Sequence, residues 1–251
     1  MRGLKEMNVI VTGGAAGIGA AISRRLAEEG ARVGIFDLDA DGAERLADEI
    51  RAEGGSADAY AVDIADWDAV QAGVAKRADD AGFIGGLVNN AGWDRAVSFL
   101  ESDHDLWRKV IDINLYGPLN MTKAVLSRMN EEGRGKIVSM ASDAGRVGSS
   151  GEAVYSACKG GIIAFNKTVA REMARTGIVI NTICPGPTDT NLLDSVDPSG
   201  RLKEALAKAI PMRRIAQPED YPGAVAFLLS DDAGFITGQT LSVSGGLTMA
   251  G

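Results

Sequence analysis

The sequence predicts an α/β protein in which helices cover both faces of a doubly wound parallel sheet of about seven strands. Two observations lead to this fold class. Short apolar runs alternate along the chain with longer amphipathic stretches, an order that produces parallel strands joined by right-handed crossovers. The length of 251 residues, with 45% hydrophobic and 24% charged residues, is typical of a soluble domain. We therefore expect residues 1–251 to form a single domain.

The strands are predicted from apolar runs of strand length. Several of these runs are rich in Val and Ile and carry few charges, which is typical of strands buried on both faces of a sheet. The predicted strands are residues 8–12, 32–36, 57–62, 86–89, 136–140, 179–184 and 240–243.

The helices are predicted from apolar residues spaced three and four positions apart, as on one face of an amphipathic helix. They are residues 18–29, 42–53, 67–81, 106–129 and 155–175. The polar stretch 187–211 breaks this rhythm and contains Pro198, Gly200 and then a short helix near its end. We expect this stretch to be a lid over a substrate site within the same domain.

Charge, histidine and cysteine content exclude several functional classes. The chain has 34 acidic and 26 basic residues, and an acidic surface repels phosphate backbones, so we expect no nucleic-acid partner. The lone histidine, His104, argues against a zinc site and against a Ser-His-Asp hydrolase; we expect no metal. Cys158 and Cys184 are expected to be buried free thiols. No apolar run is long enough for a signal peptide or a membrane span, so we expect a cytoplasmic protein that does not cross a membrane.

A glycine-rich turn, TGGAAGIG at residues 12–19, joins the first strand to the first helix. Glycines let the backbone turn tightly and approach a pyrophosphate, while the first amides of the helix face that anion. The alternative is a plain strand-to-helix turn, but the strand before, the helix after and an acid beyond the second strand favour dinucleotide binding. The residues expected to contact the cofactor here are Gly13, Ala16, Gly17, Ile18 and Gly19.

Asp37 follows the second strand, at close to the spacing from Gly13 at which a carboxylate binds the adenosine ribose hydroxyls. A carboxylate there repels a 2′-phosphate, and no Lys or Arg occupies positions 14–16 or 38, so we expect NAD rather than NADP. The alternative for Asp37 is a turn residue or a helix cap. Leu38, Asp63 and Ile64 are also expected near the adenosine, with helix capping as the alternative for Asp63.

Tyr155 and Lys159 are four positions apart, so they share one side of a helix. A nearby ammonium group and the positive charge of an oxidised nicotinamide would both favour the phenolate, and Tyr155 could then exchange a proton with an alcohol or carbonyl. Ser142, which follows the fifth strand, would donate a hydrogen bond to the same substrate oxygen. Each residue alone could be structural; their order after a glycine-rich turn indicates an oxidoreductase site.

The joint pattern resembles the short-chain dehydrogenase/reductase family over almost the whole chain. The resemblance rests on TGGAAGIG at 12–19, NNAG at 89–92, Asn114, Ser142, YSACK at 155–159 and PG at 185–186. It implies a Rossmann fold, a homotetramer and a catalytic tetrad of Asn114, Ser142, Tyr155 and Lys159, in which Lys159 also holds the nicotinamide ribose and Asn114 fixes a water of a proton relay. The further cofactor contacts that it implies are Asn90, Ala91, Gly92, Pro185, Gly186, Thr188 and Thr190.

A narrower resemblance concerns family members that oxidise 2-hydroxycyclohexane-1-carboxyl-CoA to the 2-keto product with NAD. It rests on NNAGWD at 89–94, ASDAGRVGSSGE at 141–152, CPGPTDT at 184–190 and the segment 230–249. It implies a cyclic acyl-CoA as the small-molecule substrate. Trp93, Val147 and Leu192 (or Leu193) are then expected to form apolar walls, and Arg146 to lie at the pocket mouth, with a surface salt bridge as its alternative.

Two other functions remain open at this point. A 3-oxoacyl thioester reductase has the same catalytic residues, although Asp37 argues against the NADPH that biosynthetic reductases usually take. A non-catalytic dinucleotide sensor on the same fold is the third hypothesis, and the intact tetrad argues against it.

Overall fold

The computed structural model describes residues 1–190 and 201–250, and their strands form one parallel sheet with the order β3-β2-β1-β4-β5-β6-β7. Every neighbouring pair is parallel, which confirms the predicted fold class. The strands are β1 (Asn8–Thr12), β2 (Arg32–Asp37), β3 (Ser56–Ala61), β4 (Ile84–Asn89), β5 (Gly135–Met140), β6 (Ile178–Pro185) and β7 (Thr240–Val243). The strand order reverses between β1 and β4, and a crevice for ligands opens at such a point beyond the carboxyl ends of the strands.

Helices cover both faces of this sheet. In the described residues they are α1 (Gly17–Glu28), α2 (Ala40–Ala52), α3 (Trp67–Ala81), α4 (His104–Ile111), α5 (Gly117–Glu132), α6 (Ala144–Val147), α7 (Ala153–Met173), α8 (Arg201–Ala209) and α9 (Pro222–Leu229). The prediction of one α-helix over 106–129 is wrong, because a π-helical turn, Asp112–Tyr116, separates α4 from α5. The sequence analysis also missed α9, whose residues are apolar on nearly all sides and so lack the helical alternation of apolar and polar positions.

Two apolar cores lie on opposite faces of the sheet. Side chains alternate along a strand, so Val9 and Val11 join the core beneath α1, α2 and α9, while Ile10 joins the core beneath α3, α5 and α7. Each fully buried aliphatic side chain of this kind stabilises the fold by about 1.5–3 kcal/mol. The central strands are therefore fixed from both sides, and their carboxyl ends form a rigid base for the loops that follow.

A buried arginine holds the opposite, amino-terminal end of the sheet together. Arg77 of α3 is fully buried. Its guanidinium donates to Asn8 Oδ1 at 2.7 Å, to Asp58 Oδ2 at 2.6 Å and to the backbone oxygen of Arg32 at 2.8 Å. These three partners belong to β1, β3 and β2, so one side chain bridges three strands at the end remote from the crevice.

The stretch 187–211, which the sequence predicts to be a lid, is described only in part. Leu192, Leu193, Pro198 and Gly200 lie outside the described residues. In the described part, the Asp189 carboxylate accepts a hydrogen bond from Lys203 Nζ at 2.6 Å, and the short helix predicted near the end of the stretch is α8. The lid itself stays a prediction. Among residues 1–190 and 201–250, no helix is long and apolar enough to cross a membrane.

Candidate active site

The glycine-rich turn lies at the carboxyl end of β1, where the strand order reverses. A Cβ on Gly19 would lie 1.9 Å from the backbone oxygen of Gly13, so only glycine fits there. Gly17, with a φ of 53°, is in the left-handed region that favours glycine. The N-cap of α1 is Ala16, whose methyl side chain cannot accept a hydrogen bond from the first amides, and the first turn of α1 contains no acidic residue. This end of α1 fits a pyrophosphate, which its free amides could bind.

Thr12 and Asn90 join this turn to the loop that follows β4. Thr12 Oγ1 accepts hydrogen bonds from the backbone amides of Asn90 at 3.0 Å and Ala91 at 3.1 Å. In return, Asn90 Nδ2 donates to the backbone oxygens of Thr12 and Gly13, each at 3.0 Å. The two loops that border the crevice are therefore held at a fixed separation.

Asp37 lies at the end of β2, beside the glycine-rich turn. Its Oδ2 accepts a hydrogen bond from the amide of Ala15 at 3.0 Å, and its Oδ1 accepts one from the amide of Asp39 at 3.0 Å. The N-cap of α2 is Asp39, which accepts from the amide of Gly42, so the capping alternative for Asp37 is wrong. Leu38 is 70% exposed next to it. The carboxylate is thus fixed beside the glycine-rich turn; its bond to the amide of Asp39 fits the turn alternative as well, and its contact with a ribose stays a prediction.

Asp63 and Ile64 follow β3. Asp63 is exposed and accepts a hydrogen bond from the amide of Ala65, while Ile64 is buried against Gly117. The N-cap of α3 is Asp66, which accepts from the amides of Asp68 and Ala69. The capping alternative for Asp63 is therefore wrong, and its contact with an adenine stays a prediction.

Asn114 lies in the π turn and is fully buried. Its Nδ2 donates to the backbone oxygens of Trp93 at 2.6 Å and Val110 at 2.9 Å, and its Oδ1 accepts from the amide of Trp93 at 3.3 Å. The hydrogen bond to Val110 reaches back to the last turn of α4, and the two hydrogen bonds with Trp93 reach the loop after β4. The turn therefore fixes the loop after β4 against the helix.

Tyr155 and Lys159 lie on the same side of α7. Lys159 Nζ is 5.4 Å from the centroid of the Tyr155 ring and donates to the backbone oxygen of Met140 at 3.1 Å. Gly92 packs against the same group: a Cβ at that position would lie 3.4 Å from Lys159 Nζ and 3.0 Å from Asn114 Oδ1. The loop after β4, the π turn and α7 thus meet around one ammonium group.

The pKa values of Tyr155 and Lys159 differ from those of the free side chains. Burial lowers the pKa of Lys159 to about 8. Burial also raises the pKa of the Tyr155 phenol, and the negative charges of Glu152 and Asp94 raise it further, while a hydrogen bond with Ser142 lowers it. The sequence analysis expects Lys159 and an oxidised nicotinamide together to favour the phenolate. In the chain itself the cost of burying the phenolate is the largest effect and raises the pKa, so the lowered pKa beside a nicotinamide stays a prediction.

The segment after β6 crosses from the sheet to the start of α1. Pro185 ends β6, and the amide of Gly186 donates to the backbone oxygen of Val243 at 3.2 Å. Thr188 Oγ1 lies 2.6 Å from the hydroxyl of Tyr221. The methyl group of Thr190 lies 3.7 Å from where a Cβ on Gly17 would be. This places Thr190 over the first turn of α1, and its contact with a pyrophosphate stays a prediction.

The residues predicted to bind substrate separate into two groups. Trp93 is partly buried and packs against the apolar cluster of Leu106, Val110 and Cys158, and Lys109 Nζ lies 3.8 Å from its ring centroid. The Arg146 guanidinium instead contacts the C-terminal strand and tail: it donates to Ser242 Oγ at 2.9 Å and to the backbone oxygen of Ala250. These contacts hold Arg146 on β7, so its place at the pocket mouth stays a prediction.

Val147, which ends α6, is 64% exposed. Its role as a pocket wall also stays a prediction. Leu192 lies outside the described residues.

Sequence reasoning missed Asp94 and Glu152. Both line a cleft with Tyr155, between the start of α7, α4 and the loop after β4. Asp94 was quoted only as part of a motif, and the burial of its carboxyl group has no local signal. Cys158 and Cys184 are buried and free, as predicted. Within the described ranges, no group of three or more His, Cys, Asp or Glu side chains is arranged to hold a metal ion.

Comparisons with known proteins extend over nearly the whole chain. The family model described as enoyl-(acyl carrier protein) reductase matches residues 13–248. An acetoacetyl-CoA reductase from Shinella zoogloeoides is 41% identical over 237 residues, which cover 94% of this chain and 96% of that protein. A 3-oxoacyl-(acyl-carrier-protein) reductase from Staphylococcus aureus is 37% identical over 243 residues, covering 96% of this chain and 98% of that protein.

A solved structure of a variant of actinorhodin polyketide ketoreductase with NADPH has the same fold. It superposes with a TM-score of 0.93 at 34% identity and covers 98% of this chain and 99% of that one. Similarity at this level, across the sheet and the crevice together, identifies a family.

Proposed function

The chain belongs to the short-chain dehydrogenase/reductase family, and we propose that it is an NAD-dependent enzyme that interconverts a β-hydroxyacyl thioester and the matching 3-oxoacyl thioester. The observation that carries this proposal is the cluster of Ser142, Tyr155 and Lys159 beside the glycine-rich crevice. The names of two relatives, an acetoacetyl-CoA reductase and a 3-oxoacyl-(acyl-carrier-protein) reductase, support the thioester as substrate class.

Asp37 supports the choice of NAD. Its carboxylate is held by the amides of Ala15 and Asp39 at the end of β2, and it would accept hydrogen bonds from the ribose hydroxyls while repelling a 2′-phosphate. The neighbouring position holds Leu38, which offers no positive charge to such a phosphate. When bound, NAD supplies the hydride acceptor and a positive charge near Tyr155.

The chemistry of the chain itself follows from the cluster. In the oxidative direction Tyr155 accepts the proton of the substrate hydroxyl, while Ser142 Oγ donates a hydrogen bond to the same substrate oxygen and holds it in place. In the reductive direction Tyr155 returns the proton. Because burial raises the pKa of the Tyr155 phenol, the side chain is ready to act as the acid in the reductive direction, and it must first lose its own proton to act as the base in the oxidative direction. The Lys159 ammonium stabilises the phenolate once it forms.

The finer proposal is that the thioester substrate is 2-hydroxycyclohexane-1-carboxyl-CoA, in which the ring alcohol is β to the thioester. The segments 89–94, 141–152 and 184–190 resemble those of 2-hydroxycyclohexanecarboxyl-CoA dehydrogenase, and they adjoin the cluster. Trp93, Val97 and Leu106 form an apolar patch beside Tyr155 that suits a saturated ring. A linear 3-oxoacyl thioester is the second candidate, and the names of the two curated relatives favour it.

An absorbance assay at the NADH band tests these proposals on purified protein. We expect NAD to be reduced with 2-hydroxycyclohexane-1-carboxyl-CoA faster than with 3-hydroxybutyryl-CoA, and NADP to be a poor substitute. Faster turnover of the linear thioester would replace the ring substrate with the second candidate. A clear preference for NADPH would contradict the role of Asp37. No turnover of any thioester with either dinucleotide would overturn the proposed function.

We also propose that the enzyme is a cytoplasmic homotetramer. The exposed apolar side chains of Phe235, Leu241 and Met249, near β7, support a contact between subunits, and the two free buried thiols suit a reducing compartment. Light scattering coupled to gel filtration tests the assembly, and a monomeric mass at micromolar concentration would contradict it.

A further inference from the structure

Two carboxyl groups beside Tyr155 have no part in the mechanism above. Asp94 comes from the loop after β4, and Glu152 directly precedes α7; both line the cleft that Tyr155 lines. Asp94 is only 8% exposed, and its Oδ2 has no hydrogen-bond partner among the described residues. A buried polar oxygen without a partner costs free energy. Asp94 is therefore placed to receive a partner from outside the chain, in the cleft that Tyr155 also lines.

The surroundings of Asp94 determine its charge. The titratable and charged groups that face it come from its own loop, from the residue before α7 and from α7: Arg95, Glu152, Tyr155, Cys158 and Lys159. From α4 the cleft receives Leu106, Trp107 and Val110, none of which is charged. Burial raises the pKa of Asp94 to about 6; the Glu152 charge adds to this, while a backbone hydrogen bond at Arg95 and the Lys159 charge oppose it.

We propose that Asp94 is a specificity-determining residue: its protonated carboxyl group donates a hydrogen bond to the thioester carbonyl oxygen of the substrate, and together with Glu152 it excludes substrates whose acyl group is a free carboxylate. This inference rests on the proposed function. The thioester carbonyl is separated from the reacting carbon by one carbon, so it lies close to Tyr155 when the alcohol does. A neutral thioester can accept from a carboxylic acid there, whereas a free acid would bring a second negative charge beside Glu152, and a third at a pH where Asp94 is ionised.

The proposal gives the Michaelis constant a specific pH dependence. Below about pH 6 the Asp94 carboxyl group carries the proton that it donates; above that pH the free enzyme must take up a proton to bind the thioester. We therefore expect the KM for the thioester to rise about tenfold or more between pH 6 and pH 8, while a change in Tyr155 protonation acts mainly on kcat. This profile is measured on the unmodified enzyme.

Two substitutions of Asp94 separate hydrogen bonding from charge. Asp94→Asn keeps a permanent donor of the same shape, so the KM for the thioester should become independent of pH, and kcat/KM for the matching free hydroxy acid should rise about tenfold. Asp94→Ala has no donor, so the KM for the thioester should rise about three- to tenfold at pH 6 with kcat nearly unchanged. Asp105→Asn is the matched control, because Asp105 is an acid of α4 whose side chain is 91% exposed.

The experiment measures kcat and KM for a β-hydroxyacyl-CoA and its own free acid from pH 6 to pH 8, with the thermal unfolding temperature of each variant. If Asp94 had only a structural role, its variants would change kcat/KM equally for the thioester and the free acid and would keep the pH slope of KM. That result overturns the proposal. So does a KM for the thioester that is flat with pH in the unmodified enzyme. Failure of the proposed function has a different signature, in which even the unmodified enzyme turns over no thioester.

Discussion

Asn114 and Trp93 are joined by a reciprocal pair of hydrogen bonds: the Asn114 amide donates to the Trp93 oxygen at 2.6 Å and its carbonyl accepts from the Trp93 amide at 3.3 Å. One buried side chain thus connects a π turn in a long helix to the loop that carries a predicted wall of the substrate site. Because Asp94 follows Trp93 directly, the same pair restrains the backbone that carries its carboxyl group.

Replacing Asn114 by Ala should therefore reduce both stability and activity. The change removes the side-chain partner of the buried Val110 oxygen and of the part-buried backbone groups of Trp93, which should cost about 2 kcal/mol or more in the free energy of unfolding. Urea denaturation measures this cost, and KM for the thioester should rise as well. Asn130→Ala on the exposed side of α5 is the control; equal losses in the two variants would contradict the role of the pair.

Tyr155→Phe should lower kcat by about 10²–10⁴-fold, because the acid and base of the reaction is lost, while NADH binding stays nearly intact. In the unmodified enzyme, oxidation should accelerate as pH rises, since the phenol must lose its proton and burial raises its pKa; reduction should slow over the same range. Steady-state rates in both directions and NADH fluorescence titration measure these effects. The control is Tyr116→Phe at a 56% exposed position, which should change neither kcat nor the affinity for NADH. A pH slope that survives in Tyr155→Phe would contradict the assignment.

Cofactor preference should depend on Asp37. The double variant Asp37→Ser with Leu38→Arg removes the carboxylate and adds a cation for a 2′-phosphate, so the ratio of kcat/KM for NAD to that for NADP should fall by at least about 100-fold. The control is Asp41→Asn, an exposed acid in the first turn of α2. An unchanged ratio in the double variant would show that Asp37 does not select the dinucleotide.

Lys159→Met should abolish turnover yet stabilise the fold near neutral pH. Burial lowers the pKa of Lys159 from 10.5 to about 8, so the folded state binds fewer protons than the unfolded state between these values. The charged group therefore destabilises the protein below pH 8, and this cost disappears as pH rises towards 10.5. We expect a gain of about 1–3 kcal/mol at pH 7 that shrinks with rising pH. Urea unfolding at pH 7 and pH 9.5 measures it, and a variant that is less stable at pH 7 would contradict the argument.

Arg77→Met should destabilise the protein without altering catalysis. The change leaves Asn8 Oδ1 and the backbone oxygen of Arg32 without their donor, at a cost of about 2–4 kcal/mol, whereas the half-exposed Asp58 carboxylate stays solvated. Arg77 lies at the opposite end of the sheet from Tyr155, so kcat at 25 °C should be unchanged while the protein stays folded. The neighbouring Lys76→Ala, which removes an exposed pair with Asp80, should cost less than about 1 kcal/mol. Equal costs would contradict the bridging role of Arg77.

The sequence predicts which residues lie at the site, but not how deeply their side chains are buried. The strands, the glycine-rich turn and the helical spacing of Tyr155 and Lys159 follow from patterns of a few neighbouring residues, and the structure places these features at one crevice. The spacing of Tyr155 and Lys159 shows which ammonium group is near but not how deeply the phenol is buried, and burial raises its pKa. The lowered pKa expected beside an oxidised nicotinamide stays a prediction. The caps Asp39 and Asp66 were missed because several acids near each helix start could have taken that role.

By itself the sequence determined the order of strands and helices, because the alternation of apolar residues repeats locally and each element needs one face or both faces buried. It also determined which polar residues are available at the carboxyl ends of the strands. Only the tertiary structure decided which of them meet. Asp94 is buried in the cleft that Tyr155 lines, and Asn114 is hydrogen-bonded to Trp93. Arg77 bonds to three strands, and Arg146 bonds to Ser242. Such contacts join residues far apart in the chain, and their energies depend on burial, which no short stretch of sequence contains.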